Sequence, residues 1–207
     1  MIIEWLGHAS FKIKSGNKTI YIDPYAGHYD EKADIILITH SHYDHFSKET
    51  IAKIQAEETK IVCPADVGGE IECKIIQNNE KAEVNGLKIE AVPAYNLRSH
   101  NHPEGKGNGY IFEVEGKRIY VAGDTDLIPE MNVFEADICL LPIGGTYTMD
   151  ATEAAAAAKI IQPKIAIPMH WGKITAHEED AMYFKEEVYK DSDIEVKILK
   201  EGESIEI

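Results

Sequence analysis

Apolar and polar residues alternate through Phe11-Lys12-Ile13-Lys14, the pattern of a strand with one buried face. Ser15-Gly16-Asn17-Lys18 supplies turn residues, Thr19-Ile20-Tyr21-Ile22 resumes the extended pattern, and Asp23-Pro24 breaks it. Residues 33–39 (ADIILIT) form an apolar run too short for a helix, which predicts a central strand covered on both faces. A helix should follow from an N-cap at Ser47, with Ile51, Ile54 and Ala56 as its apolar face. Residues 60–64 read as another strand, and residues 71–93 as strands separated by Asn78-Asn79 and Asn85-Gly86 turns.

Residues 94–109 are rich in Gly, Asn, His and Ser and carry little periodicity, which predicts a long functional loop. The second half then echoes the first. Residues 110–121 read strand, glycine turn, strand, as residues 11–22 do, and residues 136–142 echo residues 33–39. An acid follows the second strand of each copy, Asp23 and Asp124, and the offset drifts from 99 to 103 residues. The echo predicts two similar β-rich halves facing each other. Asp150-Ala151-Thr152-Glu153 is a capping-box pattern opening an alanine-rich helix that Gln162-Pro163 ends. Residues 165–168 form a short buried strand, Thr175-Ala176-His177-Glu178 opens a helix to about residue 190, and residues 194–199 are extended. Nothing divides residues 1–207, so a single domain is expected.

Composition narrows the class. The 207 residues are 44% hydrophobic and 28% charged, as in ordinary globular proteins. A net charge of −15 without a Lys/Arg run argues against nucleic acid and anionic membranes as partners, leaving a small-molecule substrate. Cys63, Cys73 and Cys139 form no C-x-x-C pair and read as reduced, buried thiols. With no basic, apolar leader at Met1-Ile2-Ile3-Glu4-Trp5 and no apolar run of about 20 residues, a cytoplasmic protein is expected, with a homo-oligomer left open.

The chemistry concentrates in Thr39-His40-Ser41-His42-Tyr43-Asp44-His45-Phe46, directly after the most apolar strand. Histidines at i and i+2 of extended backbone share a side, so His40 and His42 can grip one ion. Asp44 and His45 lie past the strand end, where the chain turns, and can hold a second. The competing reading is a solvated histidine-rich loop. Asp124 follows Val121-Ala122-Gly123 at a strand end, where a turn carboxylate is the alternative, and His170 ends the 165–168 strand, where a packed core histidine is the alternative.

His40-x-His42-x-Asp44-His45 resembles the H-x-H-x-D-H signature of the metallo-β-lactamase superfamily. The chain looks most like compact hydrolases related to ascorbate-phosphate lactonases and N-acyl-phosphatidylethanolamine phospholipase D. Trp5-Leu6-Gly7-His8-Ala9-Ser10-Phe11, Ile22-Asp23-Pro24, Ala122-Gly123-Asp124-Thr125-Asp126, residues 141–149 and Ile167-Pro168-Met169-His170-Trp171-Gly172 extend the likeness over essentially the whole chain. The resemblance implies an α/β, four-layer αβ/βα sandwich: two β-sheets face to face with helices outside. It also implies two divalent ions, zinc first, with manganese or iron as alternatives. His40, His42 and a third histidine would bind one ion; Asp44, His45 and His170 the other; Asp124 both. Where relatives carry the third histidine after Pro-Ala, this chain has Pro93-Ala94-Tyr95-Asn96, and asparagine is the poorer ligand. His102, in His102-Pro103-Glu104-Gly105, is the favoured replacement, with His100 second.

Around these, His8 either supports a carboxylate or packs, and Tyr147 either hydrogen-bonds a substrate oxyanion or packs. Trp171 is read as packing, and His28 and His177 as solvent-facing. A ligand set rich in neutral imidazole leaves two ions with excess positive charge, which brings the pKa of a bridging water to about 7. The expected activity is therefore metal-dependent hydrolysis of an ester, lactone, amide or phosphodiester by the bridging hydroxide, which Asp44 would orient. An RNA or nucleotide phosphodiesterase and an iron-dependent redox protein on the same fold are the alternatives. No G-x-S-x-G elbow or P-loop supports other chemistry.

Overall fold

The computed structural model describes residues 1–172 and 174–207. Strands β1 (Ile2–Gly7), β2 (Ser10–Ser15), β3 (Lys18–Ile22), β4 (Ile35–Leu37), β5 (Lys60–Cys63), β6 (Lys74–Ile75) and β14 (Ser204–Glu206) form one sheet, ordered β14-β1-β2-β3-β4-β5-β6. Strands β7 (Lys81–Val84), β8 (Leu87–Ala94), β9 (Gly107–Val114), β10 (Lys117–Val121), β11 (Ile138–Pro142), β12 (Ile165–Met169) and β13 (Glu195–Val196) form the other, ordered β13-β12-β11-β10-β9-β8-β7. Three helices complete the described elements beside a short 3-10 turn: α1 (Lys48–Ile54), α2 (Ala151–Ile161) and α3 (Glu178–Tyr189).

Strand periodicity distributes the apolar residues among layers. Ile20, Ile22, Ile35, Leu37 and Val62 of the first sheet meet Ile89, Phe112, Ile119 and Leu140 of the second in one large core. Their neighbours Tyr21, Ile36, Ile38, Ile61 and Cys63 face the other way and pack under Ile51 and Ile54 of α1. That explains why residues 33–39 are apolar without alternation: β4 is covered on both faces. Helix α2 packs on β11 and against α3, its alanines 154, 155, 157 and 158 allowing close approach. The result is the expected four-layer sandwich.

The echo in the sequence is a repeat of topology. The hairpin β2–β3 pairs Phe11 with Ile22, and β9–β10 pairs Tyr110 with Val121, 99 residues on. The parallel pairs Ile20–Ile35 and Ile119–Ile138 match in the same way. A carboxylate closes each parallel junction. Thr19 N donates to Asp34 Oδ2 (2.7 Å) and Asp34 N to the Thr19 carbonyl (2.9 Å). Arg118 N donates to Asp137 Oδ2 (2.9 Å) and Asp137 N to the Arg118 carbonyl (2.8 Å). These two aspartates latch the start of an inner strand to its neighbour.

Several sequence expectations need correction. Strand β9 begins at Gly107, inside the expected loop, because residues 107–109 pair with Ala94, Pro93 and Val92. No apolar pattern announces this stretch, since a Cβ at Gly109 would meet the Val121 carbonyl oxygen at 3.0 Å. Helix α1 ends at Ile54, leaving Ala56 exposed beyond it. Helix α3 is capped at His177 rather than Thr175: His177 N donates to Asp180 Oδ2 (2.7 Å), while the Thr175 hydroxyl is engaged elsewhere. Nor are the three cysteines all reduced and buried. Cys63 and Cys73 form a disulfide, brought together where the chain turns back from β5 into β6, and Cys139 alone is a buried free thiol. Ser47 and Asp150 do cap α1 and α2. No helix of the described residues is long and apolar enough to cross a membrane.

Replacing either latch, Asp34→Ala or Asp137→Ala, should cost about 1–3 kcal/mol in urea unfolding. The Lys164 ammonium and then the Arg118 N–H hold the Asp137 carboxyl below its ordinary value of 3.8. A native value below the unfolded one gives a stabilisation that is complete above the unfolded value and lost as pH falls through the native one. The stability gap between wild type and Asp137→Ala should therefore narrow below about pH 4.

Candidate metal centre

The site lies where strands of both sheets end. The chain after β4 brings His40, His42, Asp44 and His45; the turn after β1 brings His8; the loop before β9 brings His102; the chain after β10 brings Asp124; and the residue after β12 is His170. Trp5 Nε1 and His170 N both donate to the His8 carbonyl (2.9 Å each), tying the rim of one sheet to the rim of the other. His8, Asp23 and His170 have φ of 54°, 43° and 62°, a left-handed backbone that residues other than glycine adopt at a cost. A Cβ at Gly144 would lie 2.7 Å from His170 Nδ1, so the 143–149 loop reaches the imidazole only with glycine there.

Asp124 stands at the centre. Its Oδ2 is 3.1 Å from His170 Nε2, 3.2 Å from His102 Nε2 and 3.9 Å from His40 Nε2, and its Oδ1 is 3.2 Å from His45 Nε2. His102 Nε2 and His42 Nδ1 are 3.1 Å apart. On the other side, His8 Nε2 donates to Asp44 Oδ2 (3.0 Å), and His170 Nε2 is 4.0 Å from that oxygen. Three groupings result: His40 with His42 and His102; His40 with His45 and Asp124; and His8 with Asp44, His45 and His170.

The outer nitrogens of four rings are held from behind. His45 Nδ1 donates to Asp23 Oδ2 (2.8 Å), which also accepts from the Thr39 hydroxyl (2.6 Å). With its proton so committed, Thr39 Oγ1 accepts from His40 Nδ1 (3.0 Å). His102 Nδ1 donates to Asn96 Oδ1 (2.9 Å), and Asn96 Nδ2 donates to Asp126 Oδ1 and to the Tyr147 carbonyl (2.9 Å each). Thr175 Oγ1 donates to the His170 carbonyl (3.0 Å) and so accepts from His170 Nδ1 (3.2 Å). Each anchor holds Nδ1 and so fixes Nε2 as the nitrogen that faces inward.

Inside, His40 Nε2, His45 Nε2, His170 Nε2 and Asp124 Oδ1 are buried without a hydrogen bond. Such orphaned groups are costly singly, and several aimed at one space form a donor set for cations. Two ligand atoms about 2.05 Å from a tetrahedral ion lie roughly 3.3 Å apart, close to the separations here. The charge states fit as well. Burial, then the neighbouring His45, holds His40 well below the ordinary imidazole range, and burial with His102 lowers His42, so both present neutral lone pairs. Burial opposes ionisation of Asp124, but His170 and His45 outweigh it and hold the carboxyl well below its usual range. Burial likewise opposes a charged His45, and the Asp124 and Asp23 carboxylates outweigh it, raising its imidazole well above the ordinary range.

The structure thus brings together His8, His40, His42, Asp44, His45, His102, Asp124 and His170. His100 is exposed and outside the cluster, and Asn96 supports His102 rather than replacing it. Tyr147 is half-exposed, its carbonyl tied to Asn96. Trp171 packs on Trp5 at 4.6 Å between ring centroids, and His28 and His177 face solvent. Asp23, Thr39, Asn96 and Thr175 escaped the sequence reading as ring anchors. Only Asp23 left a signal, as the acid closing the first copy of the repeat. Asp23→Asn and Asn96→Ala should each weaken zinc binding by about 10–100-fold in competition with a chromogenic chelator.

A family model described as a β-lactamase superfamily domain matches residues 2–170. A UPF0173 metal-dependent hydrolase of Pyrococcus abyssi is 37% identical over 230 residues, covering 99% of each chain. Another, from Methanopyrus kandleri, is 33% identical over the full length of both. Among solved structures, a protein of Parabacteroides distasonis superposes with a TM-score of 0.87 at 36% identity, over 97% of this chain and 93% of that one. Igni18, a metallo hydrolase from Ignicoccus hospitalis, gives 0.84 at 26% identity, over 99% and 97%. The chain belongs to the β-lactamase superfamily and, within it, to the UPF0173 metal-dependent hydrolases.

Proposed function

We propose that the protein hydrolyses an ester, lactone, amide or phosphodiester bond of a small molecule with two divalent cations, zinc first. His40, His42 and His102 would hold one and Asp44, His45 and His170 the other, with Asp124 between them. The observation that carries this reading is the convergence of buried, unpartnered ring nitrogens on one ionised carboxylate. When bound, such ions lower the pKa of an adjacent water from 15.7 to about 7 and draw charge from the attacked carbonyl or phosphoryl oxygen.

The protein's own groups do the rest. Burial works against ionisation of Asp44, and the His8 hydrogen bond overcomes it, keeping that carboxylate charged and fixed in direction. In that state Asp44 can accept a proton from water at the rim. Tyr147, half-exposed on the loop that Asn96 pins, would meet substrate from outside.

Metal analysis of purified protein should give two equivalents of zinc or manganese. Dialysis against a chelator should abolish turnover of an ester, lactone and phosphodiester panel, and readdition should restore it. Equal rates before and after chelation would end the hydrolase reading. Asp124→Asn should lower kcat/KM by at least about 100-fold and the bound metal to one equivalent or fewer.

A further inference from the structure

A cavity of about 280 Å³ opens beside the His40 edge of the centre, and its wall is not only histidine. Ser41, Asp66, Asn101 and Lys106 also line it. Asp66 sits in the segment 64–72, which the Cys63–Cys73 disulfide closes into a loop. Its Oδ2 accepts from Ser41 N (3.3 Å), while its Oδ1 is buried and has no hydrogen-bond partner. A buried, unsatisfied carboxylate oxygen needs a donor, and neither the Ser41 hydroxyl nor Asn101 supplies one. Lys106 lines the same cavity, from the turn where its N–H donates to the Pro103 carbonyl. Its ammonium makes no ion pair among the described residues, although the protein carries 36 acidic side chains to 21 basic ones. The lining thus offers both an acceptor and a cation, in a space too small for a large ligand.

We propose that this cavity is a specificity subsite: Lys106 binds a carboxylate or phosphate oxyanion of the substrate, and Asp66 accepts from a hydroxyl or amine on the same fragment. The substrate of the reaction proposed above would then be a small hydroxy- or amino-substituted anion rather than a neutral ester. The inference rests on that reading for the cleavage step but not for binding.

The test titrates zinc-loaded protein calorimetrically with L-malate, succinate, glycerol 3-phosphate and methyl phosphate. The hydroxylated member of a pair should bind about ten-fold more tightly. The tighter pair identifies the oxyanion, and either pair supports the subsite. Lys106→Met, an exposed turn position that leaves the fold intact, should weaken both members about ten-fold, whereas Lys53→Met on α1 should not. Asp66→Ala, or Asp66→Asn should the alanine variant fold poorly, should erase the advantage of the hydroxyl. Equal affinity within both pairs, or the same affinity for Lys106→Met as for Lys53→Met, would overturn the subsite. Failure of the hydrolase reading would look different: no ester turnover, with hydroxyl-dependent binding intact.

Discussion

Asp124 keeps a negative charge where burial alone would take it away, and it does so through imidazoles drawn from both sheets. An ionised carboxylate removed from water is tolerated only when paired and hydrogen-bonded. His45 reaches it from the chain after β4 and His170 from the end of β12, so the charge is balanced only when the two sheets are packed together. The polar centre and the apolar core therefore depend on each other.

The rings around this carboxylate are aimed by neighbours rather than by their own backbone. Asp23, Thr39, Asn96 and Thr175 each occupy an outer ring nitrogen and thereby decide which nitrogen faces inward. The left-handed backbone at His8, Asp23 and His170 belongs to the same arrangement, since local strain persists where surrounding contacts over-determine it. A surface with net charge −15 favours cations in general, and the buried donor set makes that attraction local.

The twofold repeat gives the frame in which this happens. Asp34 and Asp137 latch equivalent parallel junctions, yet the copies diverge where chemistry starts. After β4 the chain runs into a histidine cluster, whereas after β11 it runs into the glycine loop 143–149 that lets His170 come close. A duplicated scaffold thus carries an unduplicated site.

Much of this was legible in the sequence because it is periodic or local. The alternation in residues 11–22, the doubly covered strand at 33–39, the caps at Ser47 and Asp150 and the packed H-x-H-x-D-H cluster are all short-range patterns, and short-range patterns survive in one dimension. What the sequence left open depends on how the loops fold, even between residues only five to ten apart. His102 rather than His100 joins the cluster because Asn96, six residues before it, accepts from its ring. Thr175 serves His170 instead of capping α3, and Cys63 meets Cys73 because β6 returns alongside β5. Composition and spacing determined which residue types were available to bind a metal. Only the packing of two sheets, which sets distances between residues far apart in the chain, decided which of them face one another.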